Sequence, residues 1–350
     1  MDELLIKISA PLLTWYDRHA RILPWRENPD PYRVWVSEVM LQQTRVEAVK
    51  PYFERFLAEL PTLADLAAAP EAQILKLWEG LGYYNRVRNL QKGAREVMER
   101  WGGVIPADFD SLLTLPGVGR YTAGAIASIA YGQAVPAVDG NVLRVVSRLL
   151  NSSADIQDPK TRRSTETALR GVMPQGRAGD FNQALMELGA IICIPNGAPH
   201  CEGCPLSDLC RAHIMGIEET LPIRTSKKPR RTEERTVFLL TCRKRLALCR
   251  RPERGLLAGL WELPTVAGSL DEAHALQVLA DWGIVVPSLT ALPDARHVFT
   301  HLTWNMTAWA GEPTMQAPGF VWASADELLH DYTLPSAFKA YFAQIALRLS

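Results

Sequence analysis

The sequence predicts two domains of different class, an all-α domain followed by an α/β domain, and three observations carry that expectation. A chain of 350 residues exceeds what one hydrophobic core usually serves. Through about residue 215, apolar positions recur at three and four, as in Leu60 to Leu66 and Ile74 to Leu81, which is the period of helices. After "LPIRTSKKPRRTEER" (221–235), which has prolines and charge but little apolar content, the texture becomes strand-like. The expected bounds are 1–216 for the helical domain, 217–234 for a basic linker and 235–350 for the second domain.

At 47% apolar and 22% charged residues the composition is globular, so disorder does not dominate. No charged start followed by an apolar run opens the chain, and no stretch nears the roughly 18 to 20 apolar residues of a membrane span. The expectation is a soluble, cytoplasmic monomer, nucleoid-associated if bacterial, with no membrane partner. Lys plus Arg balance Asp plus Glu at 38 each, so net charge does not point to an anionic partner. The distribution does: twelve Lys or Arg against three Glu between Arg224 and Arg254, and a second cluster of Arg86, Arg88, Lys92 and Arg95. Such patches suit phosphate, although a charge run is more often a solvated face.

Glu38 lies on the helix that follows Asp30-Pro31, in line with Val34 and Leu41, where burial raises a carboxyl's pKa and keeps its proton. An unpaired buried acid is costly and asks for a reason. In "LPGVGRYTAG" (115–124), Pro116 stops one helix and Gly117-Val118-Gly119 turns the chain into another, expected from about Arg120 to Tyr131. A helix start behind glycines can hold phosphate; the plain alternative is a helix–helix turn. A dinucleotide loop would need a preceding strand and a third glycine, and position 122 is threonine. In "VDGN", Asp139 precedes a helix starting near Asn141, a place that favours the ionised form. One acid pushed up and one held down is the pattern of a proton donor beside an anionic stabiliser.

Cys193, Cys201, Cys204 and Cys210 are spaced C-x7-C-x2-C-x5-C. Four close thiols without an export signal point to a metal site rather than disulfides; spacing leaves zinc and a 4Fe-4S cluster both open. Cys242 and Cys249 read as small buried residues. Farther on, "TVFLLT" and "LALC" are strands joined by a basic turn, "HVFTHLTWNMTAWA" alternates as a strand, and Ser324 with Glu327 makes a capping box.

Together, "LPGVGRYTAG", the aspartate of "VDGN" and the four-cysteine loop resemble the helix-hairpin-helix DNA glycosylase superfamily with its iron-sulfur loop. "LPWR", "SEVMLQQT", "GLGYYNRVRN" and "FNQALMELGA" narrow the resemblance to adenine DNA glycosylases of the MutY type, and "GLLAGLWELPT" with "HVFTHLTW" is similar to that family's Nudix-like 8-oxoguanine recognition domain. The resemblance implies a 4Fe-4S cluster on the four cysteines and excision of adenine mispaired with 8-oxoguanine or guanine in duplex DNA, the nucleotide being extruded from the stack. It makes Glu38 the acid that protonates adenine N7 and Asp139 the stabiliser or transient nucleophile at the sugar. Tyr121 stands where bifunctional relatives carry a Schiff-base lysine, which implies a monofunctional enzyme in which Tyr121 orients Asp139 or the water, with Asn141 as Asp139's partner.

The same resemblance gives Leu23, Trp25 and Arg26 to the adenine pocket and Gln183 to the flipped base's edge. Gln43 and Tyr83 would enter the stack, Arg86, Arg88, Gly117 and Gly119 would meet phosphates, and Phe299, Thr300 and His301 would read 8-oxoguanine. Two departures stand out: threonine at 300 replaces the family's usual serine, and the first cysteine gap is one residue longer than usual. A Nudix hydrolase is excluded because "DEAHALQVLADWG" lacks the clustered glutamates that hold Mg²⁺. The alternatives left are an endonuclease III-like glycosylase for other bases and a non-catalytic damage binder; lysine rather than tyrosine at 121 would fit the first, and the second needs neither acid.

Overall fold

The computed structural model describes residues 3–225 and 229–350. The chain divides into two compact units, Met1–Ala69 with Asn85–Ser226, and Pro70–Tyr84 with Lys227–Ser350. Residues 70–84, expected within the helical domain, therefore belong with the C-terminal unit. Among the described residues no helix is long and apolar enough to cross a membrane.

In the first unit, helices Ser9–His19, Gly140–Leu150 and Ala178–Ile191 bury Leu12, Val142, Val146 and Leu185 in one core. A second group brings Pro31–Leu41 beside Val46–Glu59 and Arg120–Ala125. Helix starts follow the expected chemistry. Asp30 caps the Pro31 helix through the amides of Tyr32 and Arg33, and Asp139 caps the Gly140 helix through Val142. The helix after the hairpin departs from expectation: it is α-helical only over Arg120–Ala125 and continues as a π turn over Ile126–Ala130. Leu221–Thr225 is no free linker, since Ile223 and Thr225 bond Ile156, Gln157 and Asp155.

The second unit is built on a sheet ordered β3-β2-β1-β6-β5, where β1 is Arg231–Cys242, β2 Arg245–Arg250, β3 Trp261–Glu262, β5 Leu289–Val298 and β6 Leu302–Gly311; β4 (Thr265–Ala267) pairs β1 and β7 (Val321–Ala323) pairs β2. The basic turn is Arg243-Lys244, both left-handed, as a two-residue hairpin requires. Alternation along β1 sends Val237 and Leu239 to one face and Phe238 and Leu240 to the other. Both faces are covered, the first by Phe338, Tyr341 and Ile345, the second by Ala275 and Leu279 of helix Glu272–Asp281.

Two expectations need correction here. The linker ends sooner, because β1 begins at Arg231 and pairs in parallel with β6 from that residue; Ser226, Lys227 and Lys228 lie outside the described residues. "HVFTHLTWNMTAWA" is two strands, broken at Phe299-Thr300-His301, where Phe299 N–H donates to Leu302 O at 2.8 Å and reverses the chain. Much of the basic run is neutralised locally: Arg231 and Arg235 pair with Glu233, Arg245 with Glu327, Arg250 with Glu253 and Arg251 with Glu262. Charge on strands found internal acids instead of forming an open phosphate track.

Candidate active site and cysteine loop

One cleft of about 660 Å³ in the helical unit gathers eleven of the residues singled out in the sequence: Leu23, Trp25, Arg26, Glu38, Gln43, Gly117, Gly119, Tyr121, Asp139, Asn141 and Gln183. Among the described residues, no lysine lines it. Glu38 is 6% exposed, and burial pushes its pKa up to about 7. The Tyr121 hydroxyl donates to Glu38 Oε2 and pulls it back down; the charge of Asp139 raises it and that of Arg26 lowers it. Tyr121 thus holds Glu38, not Asp139 as the sequence reading expects, and its hydroxyl also faces Met186 Sδ at 3.4 Å. Burial in the same place raises the phenol well above its ordinary pKa, so it stays a proton donor.

Asp139 Oδ1 accepts Val142 N–H at 2.7 Å and Oδ2 accepts Asn141 Nδ2 at 2.7 Å. The expected partner Asn141 is therefore in place. The expected depression of Asp139 is not: burial outweighs these hydrogen bonds and Arg144, and the carboxyl lies above its ordinary range. A helix cap was legible in "VDGN"; the depth of the cleft around it was not. Arg144 extends the chain of bonds, donating to Asn141 Oδ1 at 2.9 Å, Gly189 O at 2.7 Å and Cys193 O at 2.7 Å. At the hairpin Gly117 has φ +75°, and a Cβ there would meet Asn89 Cβ at 2.7 Å, so only glycine fits the turn.

Sequence reasoning missed Glu187. It is 1% exposed, lines the cleft, and sits one turn beyond Gln183 on helix Ala178–Ile191. Arg21 and Arg26 grip it at 2.7 and 2.9 Å, and Arg26 also donates to Gln183 Oε1 at 3.1 Å. Burial raises this carboxyl, but the two guanidiniums outweigh burial and leave its pKa lowered. The i, i+4 spacing of Gln183 and Glu187 was the signal available in the sequence.

Other residues lie elsewhere. Arg86 is turned inward, donating Nη1 to the carbonyls of Val39, Met40 and Gln42 at 2.8, 2.9 and 2.6 Å. It satisfies orphan carbonyls at the end of helix Pro31–Leu41 and is not placed as a phosphate contact. Arg88 is half-buried on helix Asn85–Trp101 and outside the cleft. Tyr83, Phe299, Thr300 and His301 belong to the second unit, where the Tyr83 hydroxyl lies 2.9 Å from Thr300 Oγ1.

Cys193, Cys201, Cys204 and Cys210 are all free and half-buried, and Cys193, Cys204 and Cys210 pack against the apolar core. Burial pushes Cys201 up to about 11 and Cys204 up to about 12, and Cys193 and Cys210 raise both further. Arg148 Nη1 donates to Cys193 Sγ at 3.2 Å. Among the described residues no three of these sulfurs lie within 4.8 Å of one another, whereas Zn–S bonds of about 2.3 Å would draw four sulfurs to roughly 3.8 Å. Cys201, His213 and Glu218 do bring one ligand atom each within 4.8 Å, a grouping the sequence reading did not anticipate.

Residues 36–172 match the HhH-GPD superfamily of base excision DNA repair proteins, and residues 236–344 match the NUDIX domain. A helical base-excision glycosylase unit joined to a Nudix-like unit is the class defined by this fold and cleft. The chain is 38% identical to the adenine DNA glycosylase of Rattus norvegicus over 95% of its length and 76% of the relative's, and 38% identical to that of Homo sapiens over 95% and 72%. It belongs to the adenine DNA glycosylase family. Among solved structures it resembles a thermostable thymine-DNA glycosylase, with TM-score 0.53 and 32% identity, covering 59% of this chain and 94% of that one. A non-covalent endonuclease III–DNA complex aligns with TM-score 0.52 and 26% identity over 61% of this chain and 98% of the other.

Proposed function

We propose that this protein hydrolyses the N-glycosidic bond of adenine mispaired with 8-oxoguanine or guanine in duplex DNA. The observation that carries the reading is the pairing, in one cleft, of a carboxyl whose pKa burial pushes up to about 7 with a second carboxyl held at a helix start. An extruded adenine enters between Leu23, Trp25 and the Arg26–Gln183–Glu187 cluster, whose amide and carboxylate read its edge. Glu38, kept protonated by burial and aimed by Tyr121, gives its proton to N7 and makes the leaving base neutral. As the C–N bond lengthens, Asp139, fixed by Val142 and Asn141, stabilises the positive charge growing on the sugar. Water completes the hydrolysis. In this reading Gln43, left-handed at φ +59° in the turn after the Glu38 helix, fills the vacated stack, and the amides of Gly117 and Gly119 meet phosphate.

Tyr121 cannot form a Schiff base, and among the described residues no cleft lysine replaces it, which supports a monofunctional enzyme. Single-turnover assay of duplex with adenine opposite 8-oxoguanine is expected to yield an abasic strand that breaks only after alkali. Breakage without alkali would defeat that reading.

The four thiols are assigned to a 4Fe-4S cluster, supported by the endonuclease III-like fold of the unit that carries them and by the Arg148 hydrogen bond to Cys193. Such a cluster, when bound, cross-links the loop 193–210. The purified protein is expected to carry about four irons per chain and to absorb near the visible edge, and Cys204→Ser is expected to lose both. Zinc in place of iron by elemental analysis would refute the assignment.

A further inference from the structure

Residues 70–84 come from the middle of the helical sequence, yet the C-terminal unit holds them by specific bonds. Lys76, on helix Glu71–Leu77, donates its ammonium to Leu328 O at 2.7 Å, Tyr332 O at 3.2 Å and Glu79 Oε2 at 2.6 Å. Three donors meet three acceptors. Glu79 uses its other oxygen to accept Leu334 N–H at 2.7 Å. Both ends of this clamp are charge-assisted, which makes them stronger than neutral bonds. Beyond it the chain runs left-handed through Gly80, Gly82 and Tyr83, at φ 99°, 71° and 50°, with Trp78 Nε1 donating to Gly82 O at 3.1 Å. A tyrosine in that region is uncommon and persists where its surroundings dictate it.

The turn delivers the Tyr83 hydroxyl to Thr300 Oγ1, 2.9 Å away and 217 positions later in sequence. Thr300 is itself fixed, because Phe299 beside it stacks edge-on with His297 and Trp304 at 4.5 and 4.9 Å. A hydroxyl has one proton and two lone pairs. Either hydroxyl can donate across the Tyr83–Thr300 contact, and in both cases the contact limits where the Thr300 proton and lone pairs point. Guanine and 8-oxoguanine differ at N7: guanine offers an acceptor there, and 8-oxoguanine an N–H.

We propose that Lys76 and Glu79 are positioning residues that hold Tyr83 against Thr300, so that the Thr300 hydroxyl is oriented to tell N7–H of 8-oxoguanine from N7 of guanine. This rests on the reading of Thr300 as a contact to the base opposite adenine. The threonine is then a consistent replacement for serine, since what matters is one hydroxyl oriented by a partner.

The test uses the full chain in single-turnover excision on duplexes carrying adenine opposite 8-oxoguanine or guanine, scored as the ratio of the two rates. Lys76→Met with Glu79→Gln is expected to lower the ratio by about fivefold or more while the rate opposite guanine stays within about twofold. Lys76→Arg, which keeps donors for both carbonyls, is expected to restore it, and Tyr83→Phe, at an exposed position, to lower it on its own. Hydrogen exchange at Leu334 reports the clamp independently and is expected to speed up in Glu79→Gln. An unchanged ratio in the double variant, with Leu334 exchange accelerated, overturns the clamp. Loss of the ratio in Thr300→Ala but not in Tyr83→Phe overturns the orientation by Tyr83 and leaves the Thr300 reading standing. A wild-type enzyme without preference removes that reading, and the proposal with it.

Discussion

Glu38→Gln is expected to slow adenine release in single turnover by roughly 10³-fold, the middle of the range that one positioned proton donor contributes. Glutamine keeps the shape and can still accept from Tyr121, so the loss reports the proton rather than the packing. In the wild type the rate is expected to fall as pH rises through about 7, the carboxyl's pKa in the folded chain. Stability moves the same way. The folded pKa of about 7 exceeds the ordinary 4.5 of the unfolded chain, so between these values the native state binds more protons and loses stability as pH rises. By pH 8 this amounts to about 3 kcal/mol. Glu38→Gln, which cannot ionise, is therefore expected to unfold at a higher midpoint than wild type at pH 8 and at the same midpoint near pH 4. A midpoint difference independent of pH would contradict the burial argument.

Asp139→Asn is expected to cost about 10²-fold to 10³-fold in the same assay, comparable to removing one preorganised electrostatic group. Asparagine caps helices nearly as well as aspartate, so the Gly140 helix and the thermal midpoint are expected to hold while the rate falls. Combined with Glu38→Gln, the loss is expected to be less than the product of the single losses, because the two acids act on one transition state. Normal excision by either variant would remove the assigned chemistry.

Features set by neighbours in sequence were legible. The caps at Asp30, Asp139 and Ser324, the Gly117 turn and the alternation of β1 each depend on a few adjacent residues. Partners far along the chain were not. Tyr121 was read toward Asp139 but is 83 positions from Glu38, its actual acceptor. Arg86 reads as a surface cation until the carbonyls ending the Pro31 helix are seen 44 to 47 positions upstream. Glu187 looks like one more polar residue on a helix until Arg21 arrives 166 positions away. In each case local pattern gave the element and tertiary proximity gave the role.

Residues 70–84 carry one more consequence. Because the chain passes between its two units at 69/70 and 84/85 as well as near 226/227, no single cut separates them. A truncation after the helical sequence would discard the loop around Leu328 to Leu334 and leave the Lys76–Glu79 pair without the two carbonyls and the amide it meets there. Such a fragment loses the packing of residues 70–84 together with the second unit, so its comparison with the whole chain on DNA measures both losses at once.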